Sequence, residues 1–425
     1  MQREIIQVEQ KVPFLKSIPL SLQHMFAMFG ASVIVPLTFG ISPAVVLLMN
    51  GIGTLLFILI TKGKAPAYLG SSFAFIAPVL LIIDKNSSMN YQYALGGFIA
   101  AGAVFCLVAF IIKFFGVKWI DTLLPPAAMG AVVALIGLEL AGTAAQSGGI
   151  VITNAAKSIN PNNVIVFVVT LAVAIFGNVM FRKFLAVIPL LIAIIVGYVL
   201  AFALGLVDFT AVHQASWFSL PNFSTPIFDL NAISIIIPAS LVVISEHIGH
   251  QLVTSKIVNR DLIKDPGLHR TLLADGVSTM LSGFCGSVPT TTYGENIGVM
   301  AITRVYSVQV IGGAAIISIL VAFIGKITAL IQTIPGPVIG GVSFLLYGMI
   351  AASGIRLLVE SKVDYSRSRN LCLTSVVFIT GLSGVSIPIG AVELKGMALA
   401  TIVGMVLSLI FYLIDHFHLA NDYEE

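Results

Sequence analysis

Apolar runs of 14 to 25 residues, separated by short polar breaks, follow one another along almost the whole chain. Read as one membrane crossing each, they predict fourteen spans: 17–39, 43–61, 70–83, 91–113, 123–142, 163–180, 184–206, 230–254, 271–286, 290–303, 308–325, 334–355, 370–385 and 390–414. A helix needs roughly 20 apolar residues to cross the hydrocarbon core. The third and tenth runs fall short of that, and both open on glycine and small polar residues. The tenth lies in GSVPTTTYGENIGVMAITR, Gly286 to Arg304. Pro289 removes a backbone donor there, and the Ser/Thr run offers side-chain oxygens that compete for backbone hydrogen bonds. The pattern turns helical from Tyr293, which predicts an extended half followed by a half-helix. Its N-terminus then points into the middle of the protein. Irregular backbone at membrane depth is tolerated only where protein buries it or where it lines a cavity. A loop–helix boundary near a membrane surface is the plainer alternative, and Glu295 within the apolar part argues against it.

Composition agrees with this pattern. The 425 residues are 58% hydrophobic and 10% charged, with a mean hydropathy of +1.03, whereas soluble domains carry about 25% charged residues. The net charge of +3 matters less than where the charges fall. With the N-terminus in the cytoplasm, 18 of the 22 Lys and Arg lie inside, leaving Lys85, Lys157, Lys326 and Lys395 outside. The positive-inside rule therefore places both termini in the cytoplasm, which requires an even number of spans. Cys106, Cys285 and Cys372 sit in apolar runs and read as small buried hydrophobes. The mixed-charge N-terminus lacks the apolar core of a cleavable signal.

The two halves echo each other. His24 corresponds to Glu246-His247, Phe73 in GSSFAF to Tyr293 in TTTYGE, Gly96-Gly97 to Gly312-Gly313, and the block Pro126–Gly137 to Pro337–Gly348. The offset drifts slowly from 223 to 211 in a constant order. This predicts a seven-plus-seven repeat, and an odd number of spans per half inverts the second half in the membrane. Transporters are built this way, with the site where paired broken helices meet near the midplane.

Ionisable residues within spans are few, and each costs about 2.5–3.5 kcal/mol at a helix centre. His24 follows Gln23 in the first span, EHIGH (Glu246, His247, His250) lies in the eighth, and Glu295 opens the tenth half-helix. Glu246 and His250 share a helical face, while His247 points elsewhere. That pair reads as a ligand carboxylate with a proton partner, or as a structural contact between helices. His247 and His250 could supply two metal ligands, but metal sites need three or four, and no metal is expected. Glu139, near the outer end of the fifth span, reads as structural. So does Asp275, placed near the cytoplasmic end of the ninth span within reach of the headgroups. Phe73 opens the other half-helix and offers a ring on which a planar ligand can stack. Tyr293 is expected to contribute its backbone.

At these residues the chain resembles a known family. Glu295-Asn296-x-Gly298-x4-Thr303-Arg304 and the Gln23-His24 pair resemble the marks of the nucleobase–ascorbate transporter family. The likeness runs through SLQHMFAMFGA, PAYLGSSFAF, LPPAAMGA, EHIGH, DPGLHR, TTYGENIGVMAITRVYS and ELKGMALATIVG, and is strongest to bacterial uracil:proton symporters. It implies an all-α polytopic membrane protein of fourteen transmembrane spans in a 7+7 inverted repeat, with short antiparallel strands in broken spans 3 and 10. It also implies a core domain (1–118 and 230–326) and a gate domain (119–229 and 327–425). Carried over by position, substrate would bind at Phe73, Glu246, Tyr293, Gly294 and Glu295. His250, Glu246, Tyr347, His24 and Asn296 would support proton coupling, with Tyr347 reaching towards the Glu/His group. The function implied is proton-coupled uptake of uracil across the inner (cytoplasmic) membrane by alternating access. No enzymatic activity and no cofactor beyond the coupling proton are expected. Uracil, protons and the lipid bilayer are the implied partners, nucleic acid is not, and the family allows a homodimer through the gate domain. The alternatives are a purine or xanthine permease of the same family, an anion transporter of similar repeat architecture, and a membrane-embedded metalloenzyme built on His247 and His250.

Overall fold

The computed structural model describes residues 5–83, 89–152, 158–182, 185–389 and 392–420. Arg3, Lys85, Lys157 and Lys183 of the charge pattern lie outside these residues. The first half runs α1 (Phe14–Phe39), α2 (Pro43–Ile60), β1 (Leu69–Ser71), a 3-10 turn at Phe73–Phe75, α3 (Ile76–Ile82), α4 (Tyr91–Phe115), α5 (Lys118–Leu123), α6 (Pro126–Ser147), α7 (Pro161–Met180), α8 (Pro189–Ala203) and α9 (Thr210–Gln214). The second half runs α10 (Leu230–Val258), α11 (Leu268–Phe284), β2 (Thr290–Thr292), α12 (Gly294–Thr303), α13 (Val308–Ala322), α14 (Gly325–Gln332), α15 (Gly336–Glu360), α16 (Ser368–Leu382), β3 (Ser386–Ile389), β4 (Val392–Lys395) and α17 (Gly396–His416).

Local chemistry sets the helix ends. Proline stands first in α2, α6, α7 and α8, where its missing N–H costs nothing and its fixed φ suits the helix. Asp229 caps α10 by accepting from the Asn231 and Ala232 N–H groups at 2.9 and 3.0 Å, satisfying donors that the helix leaves unpaired. Among the described residues, eight helices are long and apolar enough to cross a membrane: α1, α2, α4, α6, α7, α10, α15 and α17. The remaining predicted spans carry shorter or more polar helices.

The C-terminal boundary departs from the sequence reading, which ran spans over 370–385 and 390–414. α16 stops at Leu382, Gly384 turns the chain at φ 72°, and β3 pairs antiparallel with β4, Ser386 opposite Lys395. α17 starts only at Gly396. The four residues left between the two predicted spans, 386–389, do not reveal a hairpin. The short helices α5, α9 and α14 were likewise hidden in stretches assigned to loops or span ends.

Packing follows the repeat. α6 lies against α15, α2 against α11, and β1 against β2, each an element of one half meeting its counterpart's neighbourhood in the other. The α4–α11 contact is matched by α2–α13, α4–α10 by α1–α13, α7–α8 by α16–α17, and α7–α15 by α6–α16. Backbones approach closely where glycine allows it. A Cβ on Gly102 of α4 would lie 2.7 Å from the Gly276 carbonyl of α11, and a Cβ on Gly276 would lie 2.8 Å from the Gly102 carbonyl. Small residues play this part where lipid removes the hydrophobic drive between helices.

The two strands cross at the centre, with Gly70 opposite Thr291. Their outer hydrogen bonds are supplied by neighbouring hydroxyls and by adjoining backbone. Thr54 Oγ1 accepts from the Leu69 N–H at 2.9 Å, and Thr279 Oγ1 donates to the Thr290 carbonyl at 2.9 Å. The Tyr293 N–H reaches the Tyr68 carbonyl at 3.0 Å, and the Ser72 N–H reaches the Pro289 carbonyl at 2.9 Å. Buried extended backbone is thereby paired throughout, as a membrane interior demands.

Candidate functional site

The crossing strands aim two helix starts at one space. β1 delivers Phe73 at the 3-10 turn, and β2 delivers Tyr293 and the start of α12 at Gly294. α10 passes beside them with Glu246 and His250. Together they line a cavity of about 390 Å³ that contains Phe73, Glu246, His250, Tyr293, Gly294 and Glu295. All five residues expected to meet substrate are therefore brought to one place.

Phe73, Tyr293, Gly294 and His250 are held by identifiable contacts. The Tyr293 hydroxyl donates to the Ser71 carbonyl at 3.0 Å, and a Cβ on Gly70 would fall 2.1 Å from the Tyr293 ring. Only glycine fits beneath that ring. His250 Nδ1 shares a 3.1 Å hydrogen bond with Thr292 Oγ1 of β2, and its Nε2 would lie 3.3 Å from a Cβ built on Gly294. The Phe73 ring meets Tyr347 of α15 edge to face at 5.8 Å. Tyr347 is thus a buried support for Phe73. His24 and Asn296 lie outside the cavity lining and pair with each other: Asn296 Nδ2 approaches His24 Nδ1 at 3.1 Å and donates to the His24 carbonyl at 3.0 Å. They tie α1 to the first turn of α12, one residue beyond Glu295.

The electrostatics are one-sided. Among the described residues no Lys or Arg lines the cavity, and Glu246 Oε2 is buried without a hydrogen-bond partner. The two half-helix N-termini supply the positive ends of their dipoles instead. Such a space can accept N–H donors on the carboxylates and receive acceptor oxygens at the backbone N–H groups.

Asp275 differs from the sequence reading. It is fully buried in the middle of α11, where its Oδ2 lies 2.8 Å from His247 Nδ1 and accepts from Thr291 Oγ1 at 3.2 Å. A buried charge needs such partners, so it does not reach the headgroups. His247 points away from the cavity, as its place on the helix implies, and its Nε2 meets Thr271 Oγ1 at 2.9 Å. Glu139 makes a contact between helices: its Oε2 accepts from the Met397 N–H at 3.1 Å, in the first turn of α17. Among the described residues no three His, Cys, Asp or Glu side chains gather as a metal site would require.

Sequence reasoning missed the rest of the wall. Phe26, Ala186 and Ile188 ahead of α8, Pro189, Leu190 and Leu191 within it, and Leu346, Met349, Ile350 and Ser353 of α15 also line the cavity. Apart from Ser353 these are apolar residues in an apolar chain and carry no contrast, and only their place in the repeat could have marked them. Asn178, Ile302 and Ser353 extend the lining along α7, α12 and α15 towards the helix ends near Arg182, Arg304 and Arg356.

A bundle of apolar helices around a carboxylate-bearing cavity, framed by two broken helices, defines a multi-pass membrane transporter. The chain belongs to the family whose model is described as "Permease family", which matches residues 15–390; it is a transport protein and not an enzyme. It is 60% identical over 415 residues to a uracil permease of Escherichia coli (strain K12), covering 98% of this chain and 96% of that one. To a uracil permease of Paenibacillus larvae it is 57% identical over 424 residues, covering 99% and 100%. To one of Bacillus subtilis (strain 168) it is 48% identical over 402 residues, covering 92% of each. Among solved structures, the fold is similar to the transmembrane domain of the cyanobacterium bicarbonate transporter BicA, with TM-score 0.63, 14% identity, and 96% and 99% of the two chains covered. It is also similar to the murine solute carrier 26 family member A9 anion transporter in the inward-facing state, with TM-score 0.71, 11% identity, and 95% and 69% covered. In another structure of SLC26A9, with TM-score 0.69 and 11% identity, this chain spans 65% of the solved length.

Proposed function

We propose that this protein takes up uracil together with a proton, by alternating access across the inner membrane. The observation that carries the reading is the joining of Glu246 and Glu295 with two half-helix N-termini in one cation-free cavity. Uracil is planar and neutral, with two N–H donors and two carbonyl acceptors. The carboxylates accept from its N–H groups, the backbone N–H groups of Phe73 and Gly294 donate to its carbonyls, and its face stacks on Phe73. Relatives named as uracil permeases at 48–60% identity support the same ligand. Paired carboxylates disfavour an anionic substrate despite the fold shared with anion transporters.

A proton taken up on Glu246 removes a buried charge before the loaded site moves. His250, one turn nearer the cytoplasm, relays that proton, and the His24–Asn296 pair keeps α12 in place. One charge moved across about 100 mV contributes roughly 2.3 kcal/mol, close to fiftyfold accumulation. The architecture in this reading is fourteen spans in a 7+7 inverted repeat, supported by the matched packing pairs. Both termini are cytoplasmic. The core (1–118 and 230–326) carries the site, the gate (119–229 and 327–425) supplies the facing wall, and two copies associate through the gate. The cavity's run towards the arginine-bearing helix ends supports an inward-facing state in this reading. The test is uptake of radiolabelled uracil into proteoliposomes with an imposed pH gradient, with and without an uncoupler. Accumulation that the uncoupler abolishes is expected, and accumulation indifferent to it refutes proton coupling.

A further inference from the structure

Beyond α3, on the side away from the site cavity, lie a second cavity of about 310 Å³ and a pocket of about 30 Å³ that shares several of its walls. Their linings can be compared with the site cavity through the repeat. The β1–β2 register centres Gly70 on Thr291, an offset of 221. At that offset Ala77, Pro78 and Leu81 correspond to Gly298, Val299 and Ile302. The Pro126 and Pro337 blocks differ by 211, which sets Leu138 and Glu139 against Met349 and Ile350. α8 and α17 begin at Pro189 and Gly396, an offset of 207. There Lys395, Gly396, Met397 and Ala398 correspond to Ile188, Pro189, Leu190 and Leu191. The first member of every pair lines the second cavity or its neighbour, and the second member lines the site cavity. Three helix pairs with three separate offsets give one correspondence.

The chemistry of the two linings differs at two of these positions. Glu139 stands where the site cavity has Ile350, and Lys395 where it has Ile188. Glu139 is fixed in place: its Oε2 holds the Met397 N–H, and a Cβ on Gly396 would fall 2.1 Å from its Oε1.

We infer that this second cavity is the outer counterpart of the inner vestibule, and that Glu139 with Lys395 forms a first binding subsite there. Its ligand is a neutral planar molecule with N–H and C=O groups on one edge: the carboxylate accepts from the N–H and the ammonium donates to the C=O. The inference deepens the uptake reading and rests on it. A ligand arriving from dilute solution is held at the outer mouth, whereas Ile188 and Ile350 offer it no polar hold at the inner one.

The test has two arms. Glu139→Gln keeps an oxygen for the Met397 N–H and removes the charge. The KM for uracil uptake through outward-exposed transporters should rise about three- to tenfold, the worth of one hydrogen bond. The kcat, and the Kd of the detergent-solubilised protein, should stay within about twofold. An unchanged KM overturns the subsite. The second arm uses no ligand. With Cys106, Cys285 and Cys372 replaced by Ser, Leu138→Cys should react with a membrane-impermeant maleimide from the outer face only, and Met349→Cys from the inner face only. Labelling of both from one face overturns the vestibule assignment. Failure of the wild type to bind uracil overturns the proposed substrate alone, because the labelling arm still decides the vestibule.

Discussion

Replacing Glu246 by Gln tests the centre of the mechanism. Among the described residues, Oε2 of Glu246 is buried with no hydrogen-bond partner, and no Lys or Arg lines the cavity to neutralise it. A buried acceptor left empty costs about 1–3 kcal/mol. A ligand N–H recovers that cost and, on an ionised carboxylate, forms a bond roughly twice as strong as a neutral one. Glutamine preserves volume and one carbonyl oxygen but removes the charge and offers an NH2 group where the ligand also donates. Together these losses amount to about 1.5–3 kcal/mol, or about ten- to a hundredfold in Kd. Calorimetry on the purified variant measures the binding, and a dye inside proteoliposomes follows the proton. The variant should bind uracil more weakly, equilibrate it at saturating concentration, leave the interior pH unchanged, and fail to accumulate uracil under an imposed pH gradient. A Glu246→Gln protein that still concentrates uracil in response to that gradient removes Glu246 as the coupling site and leaves His250 or Glu295.

Four further outcomes are expected. Glu295→Gln should weaken uracil binding severely, and a Kd within about twofold of wild type on folded protein would exclude Glu295 as a direct ligand. Gly70→Ala should displace the Tyr293 ring, since its Cβ would fall 2.1 Å away, so binding should be lost while the protein still reaches the membrane. Cysteines at Asn162 and at Asn86 (a position outside the described residues) should label from outside, and those at Asn259 and Ser366 from inside; Asn162 and Asn259 labelling from one side would sink the inverted repeat. Arg260 donates to Glu9 at 2.5 Å and holds that carboxyl below its ordinary value of 4.5. The ion pair is therefore present at neutral pH and lost as pH falls through that lowered value, so the protection factors of residues 5–12, with the intrinsic slowing of exchange in acid divided out, should fall on acidification, and Glu9→Gln should remove the difference.

The site was legible because a membrane interior makes its exceptions conspicuous. Glu246 and Glu295 are charges in apolar runs, and Pro289 with the three following threonines cannot be an ordinary span. Phe73 and Tyr293 were marked by their matched places in the two halves. The gate-side wall was not legible, since Ile188, Leu346 and Ile350 differ in no chemical respect from lipid-facing neighbours. Asp275 was misplaced for a related reason. Its position along the span suggested the headgroups, but its partners His247 and Thr291 lie 28 and 16 residues away on α10 and β2, and only the packing of those elements against α11 brings them to it. The hairpin of β3 and β4 was missed because its strands are four residues long, too short for an alternating pattern to stand out.

The contacts around the cavity fall into two kinds, and the difference bears on how the proposed transport cycle moves. On one side, polar contacts cross between elements far apart in sequence: β1 pairs with β2, His250 meets Thr292, and Asn296 is tied to His24. Neither half can satisfy the backbone of its own short strand, so Phe73 from one half and the two carboxylates from the other are fixed together as one body. On the other side, α8 and α15 present Ile188, Leu190, Leu346 and Ile350 to the cavity, and Phe73 meets Tyr347 only ring edge to ring face. Apolar and edge-on aromatic contacts carry no directional hydrogen bonds, so sliding along that wall trades one set for another at small cost. The site is therefore rigid where ligand geometry must be kept and smooth where the two bodies pass. A polar bridge placed across the smooth side should arrest transport while sparing binding.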